Sequence, residues 1–147
     1  EEQADAMDGL VEVLAQEGIE PVLDGVLHFM MGDTTLTDPS RADVLAEVTA
    51  LLRSRTPEYA DAAWNIAHRK PVLDELAAVS VPVLVVAGTE DHTYPPEKSR
   101  QIVDAVPGAT LEVMERTGHV HAMENPQAVV DVLERHLAGL DMTGASA

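Results

Sequence analysis

Val81-Pro-Val-Leu-Val-Val-Ala-Gly-Thr-Glu-Asp91 is the stretch on which the fold turns. Its apolar run from Val81 to Ala87 is rich in β-branched residues, and Pro82 sits where the start of a strand tolerates it. A run of this kind without polar alternation predicts a strand buried on both faces, as in a parallel sheet. Gly88 ends the run and lets the chain turn sharply, and Asp91 follows three residues later. In open α/β sheets the reactive groups gather just beyond the carboxyl ends of the strands. That rule singles out Asp91. It also singles out His119 in Thr117-Gly-His119, which follows an alternating strand predicted at Thr110 to Met114.

Between these strands, Pro95-Pro96 leads into a helix with Ser99, Ile102, Val103 and Val106 inward, and Pro107-Gly108 ends it. Asn125 and Pro126 read as N-cap and first residue of a last helix. Its buried stripe is Val129, Val132, Leu133, His136, Leu137 and Leu140, with a loose tail from Asp141 to Ala147. The second half is therefore strand, helix, strand, helix, and a right-handed crossover makes the strands parallel. Two parallel strands cannot cover their own faces, so the sheet is expected to be incomplete without a partner.

Upstream the pattern is helical. Met7, Leu10, Val11 and Leu14 share a stripe over Ala4 to Gln16, and Val22, Leu23, Val26, Leu27 and Met30 share another after Pro21. Residues 32–39 carry loop chemistry, and Ser40 with Asp43 reads as a shortened capping box. Val44, Leu45, Val48, Leu51 and Leu52 give a third helix its apolar face. Thr56-Pro57-Glu58 opens a fourth, lined by Tyr59, Ala63, Trp64 and Ala67, and Val72 to Leu76 reads as one short helical turn. The division expected is 1–70 helical and 71–147 α/β.

The 147 residues hold enough apolar side chain, 46%, for a globular core. A formal net charge of −17, from 26 acidic and 9 basic residues, argues against nucleic acid and anionic membranes as partners. No run approaches the roughly 18 apolar residues of a membrane span. Cysteine is absent, which removes disulfides and a thiol nucleophile. No stretch reads as a signal peptide, and a cytoplasmic protein is expected. The chain opens on Glu1 rather than Met, so its true beginning is expected to lie upstream.

Val81 to Asp91, Tyr94-Pro-Pro96, Val106-Pro-Gly108 and Gly118-His119 with Glu124 and Pro126 together resemble the C-terminal third of an α/β-hydrolase. The resemblance covers about Val72 to Leu140, and within the superfamily it looks most like 3-oxoadipate enol-lactonase and related small esterases. It implies that residues 1–70 form the mobile cap and 71–147 the C-terminal part of the core. It further implies His119 as the general base of a Ser-His-Asp triad and Asp91 as the acid behind it, with Asp before His in the chain. The serine itself is missing. G-x-S-x-G occurs nowhere, and Ser40, Ser54, Ser80, Ser99 and Ser146 all lie outside such a context. This chain alone is therefore expected to be inactive, with the nucleophile and the oxyanion hole supplied by the missing N-terminal part, on the same or a separate chain.

The expected substrate is a small ester or enol-lactone. Position 120 is Val where carbon–carbon-bond hydrolases of aromatic breakdown carry Trp, and perhydrolysis is an open alternative because it uses the same triad. Trp64, Met30, His28, Phe29 and Val120 are candidates for the apolar pocket wall, with cap-helix packing as the competing explanation. Glu124 is expected to be structural, bonded near the histidine loop or the start of the last helix. Asp91-His92 with His119-x-His121 invites a metal reading, but the longer ligand pattern of a metallohydrolase is lacking, so no metal and no cofactor are expected. The rival class is a non-catalytic interaction module that pairs the edge at Val81 to Ala87 with a partner's sheet or a second copy of itself.

Overall fold

The computed structural model describes residues 2–54 and 59–140. The proposed helix opening at Thr56-Pro57-Glu58, the tail from Asp141 and the side chain of Met7 lie outside the described residues. Helix α1 spans Glu2–Glu17 and closes on Gly18, whose φ of 79° suits a residue without a side chain. A 3-10 turn at Glu20–Val22 takes up Pro21 and leads into α2, Leu23–Met30. After α3, Asp33–Thr37, and α4, Ala42–Arg53, comes α5, Tyr59–His68, which packs on α1.

Two local expectations fail here. Residues 33–37, read as loop, form the short helix α3, because Gly32 and Asp38-Pro39 bracket rather than fill the segment. Ser40 does not cap α4. Asp38 accepts the Ser40 N–H at 2.9 Å and caps a 3-10 turn at Pro39–Arg41, leaving Arg41 at the start of α4 with no side-chain cap.

The core of the helical part follows from spacing. Leu23, Leu27 and Met31 recur every four residues on α2 and its end, and Val48 and Leu52 do so on α4. These five are buried together, with Val120 and Met123 from the second half packed against them. Full burial of one such side chain stabilises by about 1.5–3 kcal/mol, so this cluster ties the two halves.

The second half has the expected order. A 3-10 turn at Leu73–Ala78 precedes β1, Leu84–Gly88; then come α6, Pro96–Ala105, β2, Thr110–Met114, α7, His121–Glu124, and α8, Pro126–Ala138. The strands are parallel, pairing Leu84 with Thr110 through Gly88 with Met114. The ladder starts at Leu84 rather than Val81 because β2 begins only at Thr110, and Val81 stands 64% exposed. Only Ala87 and Gly88 of β1 are buried, so the two-faced burial predicted for this strand is not reached among the described residues. The stripe of α8 is likewise part-covered: Val132 is buried, whereas Leu133 and Leu137 are exposed, since a two-stranded sheet offers little surface to pack on. No described helix is long and apolar enough to cross a membrane.

Candidate active site

The two parallel strands end side by side, and the loops leaving them carry Asp91 and His119. Asp91 Oδ2 lies 2.9 Å from His119 Nδ1. The carboxylate is 2% exposed and the imidazole 33%. The other carboxylate oxygen, Oδ1, accepts the N–H groups of Thr93 and Tyr94 at 2.9 and 2.7 Å, an Asx turn that fixes the carboxylate independently of the histidine. An acceptor at Nδ1 requires the proton there, which leaves Nε2 with its lone pair. That is the tautomer of a general base.

The histidine loop is held equally firmly. The N–H groups of His119 and Val120 both donate to the Met30 carbonyl, at 3.1 and 3.2 Å. Gly118 N–H donates to Glu124 Oε1 at 2.9 Å, while Glu124 Oε2 accepts Gly32 N–H at 2.9 Å and Thr35 Oγ1–H at 2.7 Å. Gly118 is there for space, since a Cβ would stand 2.1 Å from Gly32 N. Glu90, in the turn after β1, accepts Thr34 N–H and Oγ1–H, each at 2.7 Å. Residues 30–35 thus serve as the backing plate for both loops. Tyr94 stacks 6.0 Å from the His119 ring, and Arg69 and Lys98 lie over the Tyr94 ring.

Of the pocket candidates, Met30 and Val120 adjoin the pair through the backbone bonds just given. His28 is exposed and stacks on His92 at 4.5 Å, and Phe29 is 52% exposed. Trp64 stacks on His68 of its own helix at 4.2 Å, and Arg69, just beyond that end of α5, lies over the Tyr94 ring. The four residues of the metal reading do not converge. Asp91 and His119 bond one another, His92 turns to Asp33, and His121 Nε2 is buried with no hydrogen-bond partner among the described residues. Burial holds His121 below the ordinary imidazole pKa, with the nearby Asp91 carboxylate acting in the opposite direction.

No described serine bonds to His119. Ser99 is buried on α6, Ser40 Oγ donates to Asp38 and Ser54 Oγ to the Leu51 carbonyl. Sequence reasoning placed Glu124 correctly near the histidine loop but missed Glu90, Thr34 and Thr35. The paired threonines after Gly32 were the available signal.

The family described as "Alpha/beta hydrolase family" matches residues 3–132. Among solved structures, a thermophilic esterase from Thermogutta terrifontis superposes with a TM-score of 0.83 at 25% identity, over 93% of this chain and 50% of its own. An enol-lactonase from Burkholderia xenovorans gives 0.75 at 23% identity, over 87% and 48%. A proline iminopeptidase of Lacticaseibacillus rhamnosus is 33% identical over 70 residues, 48% of this chain and 24% of that protein. The matched stretches cover about half the length of those structures and a quarter of the iminopeptidase.

Proposed function

The chain belongs to the alpha/beta hydrolase family, and on that premise we propose that it supplies the acid and the base of a serine-hydrolase triad that cleaves a small ester or lactone. The observation that carries this is the 2.9 Å bond from a buried, doubly anchored Asp91 to His119 Nδ1. The nucleophilic serine and the oxyanion donors lie outside this chain, and residues 1–70 act as the cap over the site. His119 Nε2 takes the serine proton as the hydroxyl attacks the carbonyl carbon, then returns it to the departing alkoxide. Water repeats the sequence on the acyl-enzyme, releasing the acid and restoring the serine. Asp91 holds the ring in the required tautomer and stabilises the imidazolium at each step.

The composition of the two strands supports attachment of the missing part along β1. β1 is wholly apolar, whereas β2 carries Thr110 and Glu112, with Glu112 bonded outward to Arg135. The free edge of β1 therefore fits an interior position and that of β2 an outer one. Likeness to an esterase at 25% identity supports ester chemistry.

Fluorophosphonate labelling of the assembled protein tests this reading. One labelled serine is expected, on a peptide outside residues 1–147, with loss of labelling in His119→Ala. Absence of labelling in the wild type, or a label on a serine of this chain, overturns it.

A further inference from the structure

We propose that His28, Asp33 and His92 form a site for a divalent transition-metal ion of the zinc class, which clamps the end of α2 to the loop that carries Asp91. His28 comes from the last turn of α2, Asp33 from the start of α3, and His92 from the turn after β1. One donor atom from each lies within 4.8 Å of the other two. His92 Nε2 is 3.0 Å from Asp33 Oδ1, and His28 Nδ1 is 4.0 Å from the same oxygen. Donors on a tetrahedral zinc with bonds of about 2.0–2.1 Å stand roughly 3.4 Å apart, and the two observed separations straddle that value. The imidazole rings are stacked, 4.5 Å apart and 21° from parallel, so a turn of these exposed side chains brings both nitrogen lone pairs onto one ion.

The segments that carry the site are held together without a metal. Residues flanking His92 are already bonded to residues near His28 and Asp33: Thr93 Oγ1 donates to the Phe29 carbonyl at 2.7 Å, and Glu90 accepts Thr34 N–H and Oγ1–H. An arriving ion therefore orders surface side chains rather than gathering distant loops, which lowers the cost of binding. The donor set selects the ion. Two neutral imidazoles and one carboxylate suit Zn²⁺, Ni²⁺ or Cu²⁺, whereas Mg²⁺ and Ca²⁺ require oxygen ligands. The exposure of all three residues leaves further coordination positions to water. Spacing of 28, 33 and 92 in sequence carries no metal signature, and the fold alone brings them together. The inference does not rest on the hydrolase reading.

Calorimetric titration of the tag-free protein with Zn²⁺ at about pH 7.5 tests it. One zinc binds per chain with micromolar affinity, and His28→Ala and His92→Ala each weaken binding by at least about tenfold. His68→Ala, which removes a separate two-residue contact with Asp8, leaves the affinity unchanged, and millimolar Mg²⁺ does not displace the zinc. Should either variant misfold, the ring-proton NMR signals of the wild type decide: zinc shifts those of His28 and His92 and spares His68. The absence of saturable binding, affinity retained in both well-folded variants, displacement by Mg²⁺, or unshifted His28 and His92 signals would overturn the site.

Discussion

Glu124 Oε2 accepts the N–H of Gly32 at 2.9 Å, joining residues 92 positions apart. The same carboxylate holds Gly118, the residue before His119, so the helical half and the histidine loop share one buried anchor. A buried donor left without an acceptor costs about 1–3 kcal/mol. Glu124→Ala strands three donors and is expected to destabilise by about 3–5 kcal/mol, read as a shift in the urea midpoint. Glu124→Gln retains an acceptor oxygen and should lose less. A loss below about 1 kcal/mol in the alanine variant would remove the anchor from the account.

Close backbone approach makes a second prediction. A Cβ on Gly88 would stand 2.0 Å from the Thr117 carbonyl oxygen, and one on Gly118 2.1 Å from Gly32 N, both against main chain that cannot swing aside. Gly88→Ala and Gly118→Ala should each lower thermal stability by more than about 2 kcal/mol. Gly25 lies inside α2, and a Cβ added there would meet nothing within 4 Å, so Gly25→Ala should stabilise by about 0.5–1 kcal/mol. Thermal melts of the three variants give the ranking directly.

His121 sets a dependence on pH. Burial lowers its folded-state pKa, so below the ordinary imidazole value of about 6.5 the unfolded chain takes up the proton first. The contribution is intact above that value and is lost as pH falls through the folded pKa. Replacing His121 by Gln should flatten the decline in stability between about pH 7.5 and 5.5. Unfolding curves at the two pH values test this, and an unchanged slope would contradict it.

The Asp91–His119 pair was legible because one residue follows an apolar strand and the other an alternating one, and strand ends of a parallel pair converge by topology. The backing plate was not. Gly32, Thr34 and Thr35 read as loop chemistry from local sequence, and their meaning depends on Glu90 and Glu124, which lie 56 to 92 positions away. Local capping rules likewise favoured Ser40, but Asp38, two residues earlier, competes for the same stretch of backbone and takes the Ser40 N–H. The length of β1 was overread because an apolar run records hydrophobicity, whereas the ladder ends where its partner Thr110 begins. Leu133 and Leu137 do lie on an apolar face of α8, but cover for them is absent among the described residues.

The most direct test of the central claim is hydrolysis of a short-chain p-nitrophenyl ester by the assembled protein, comparing wild type with His119→Ala and Asp91→Asn. Each variant is predicted to keep its circular dichroism spectrum and to lose kcat by about 10⁴-fold or more, with KM little changed. Turnover that survives in His119→Ala would contradict the assignment.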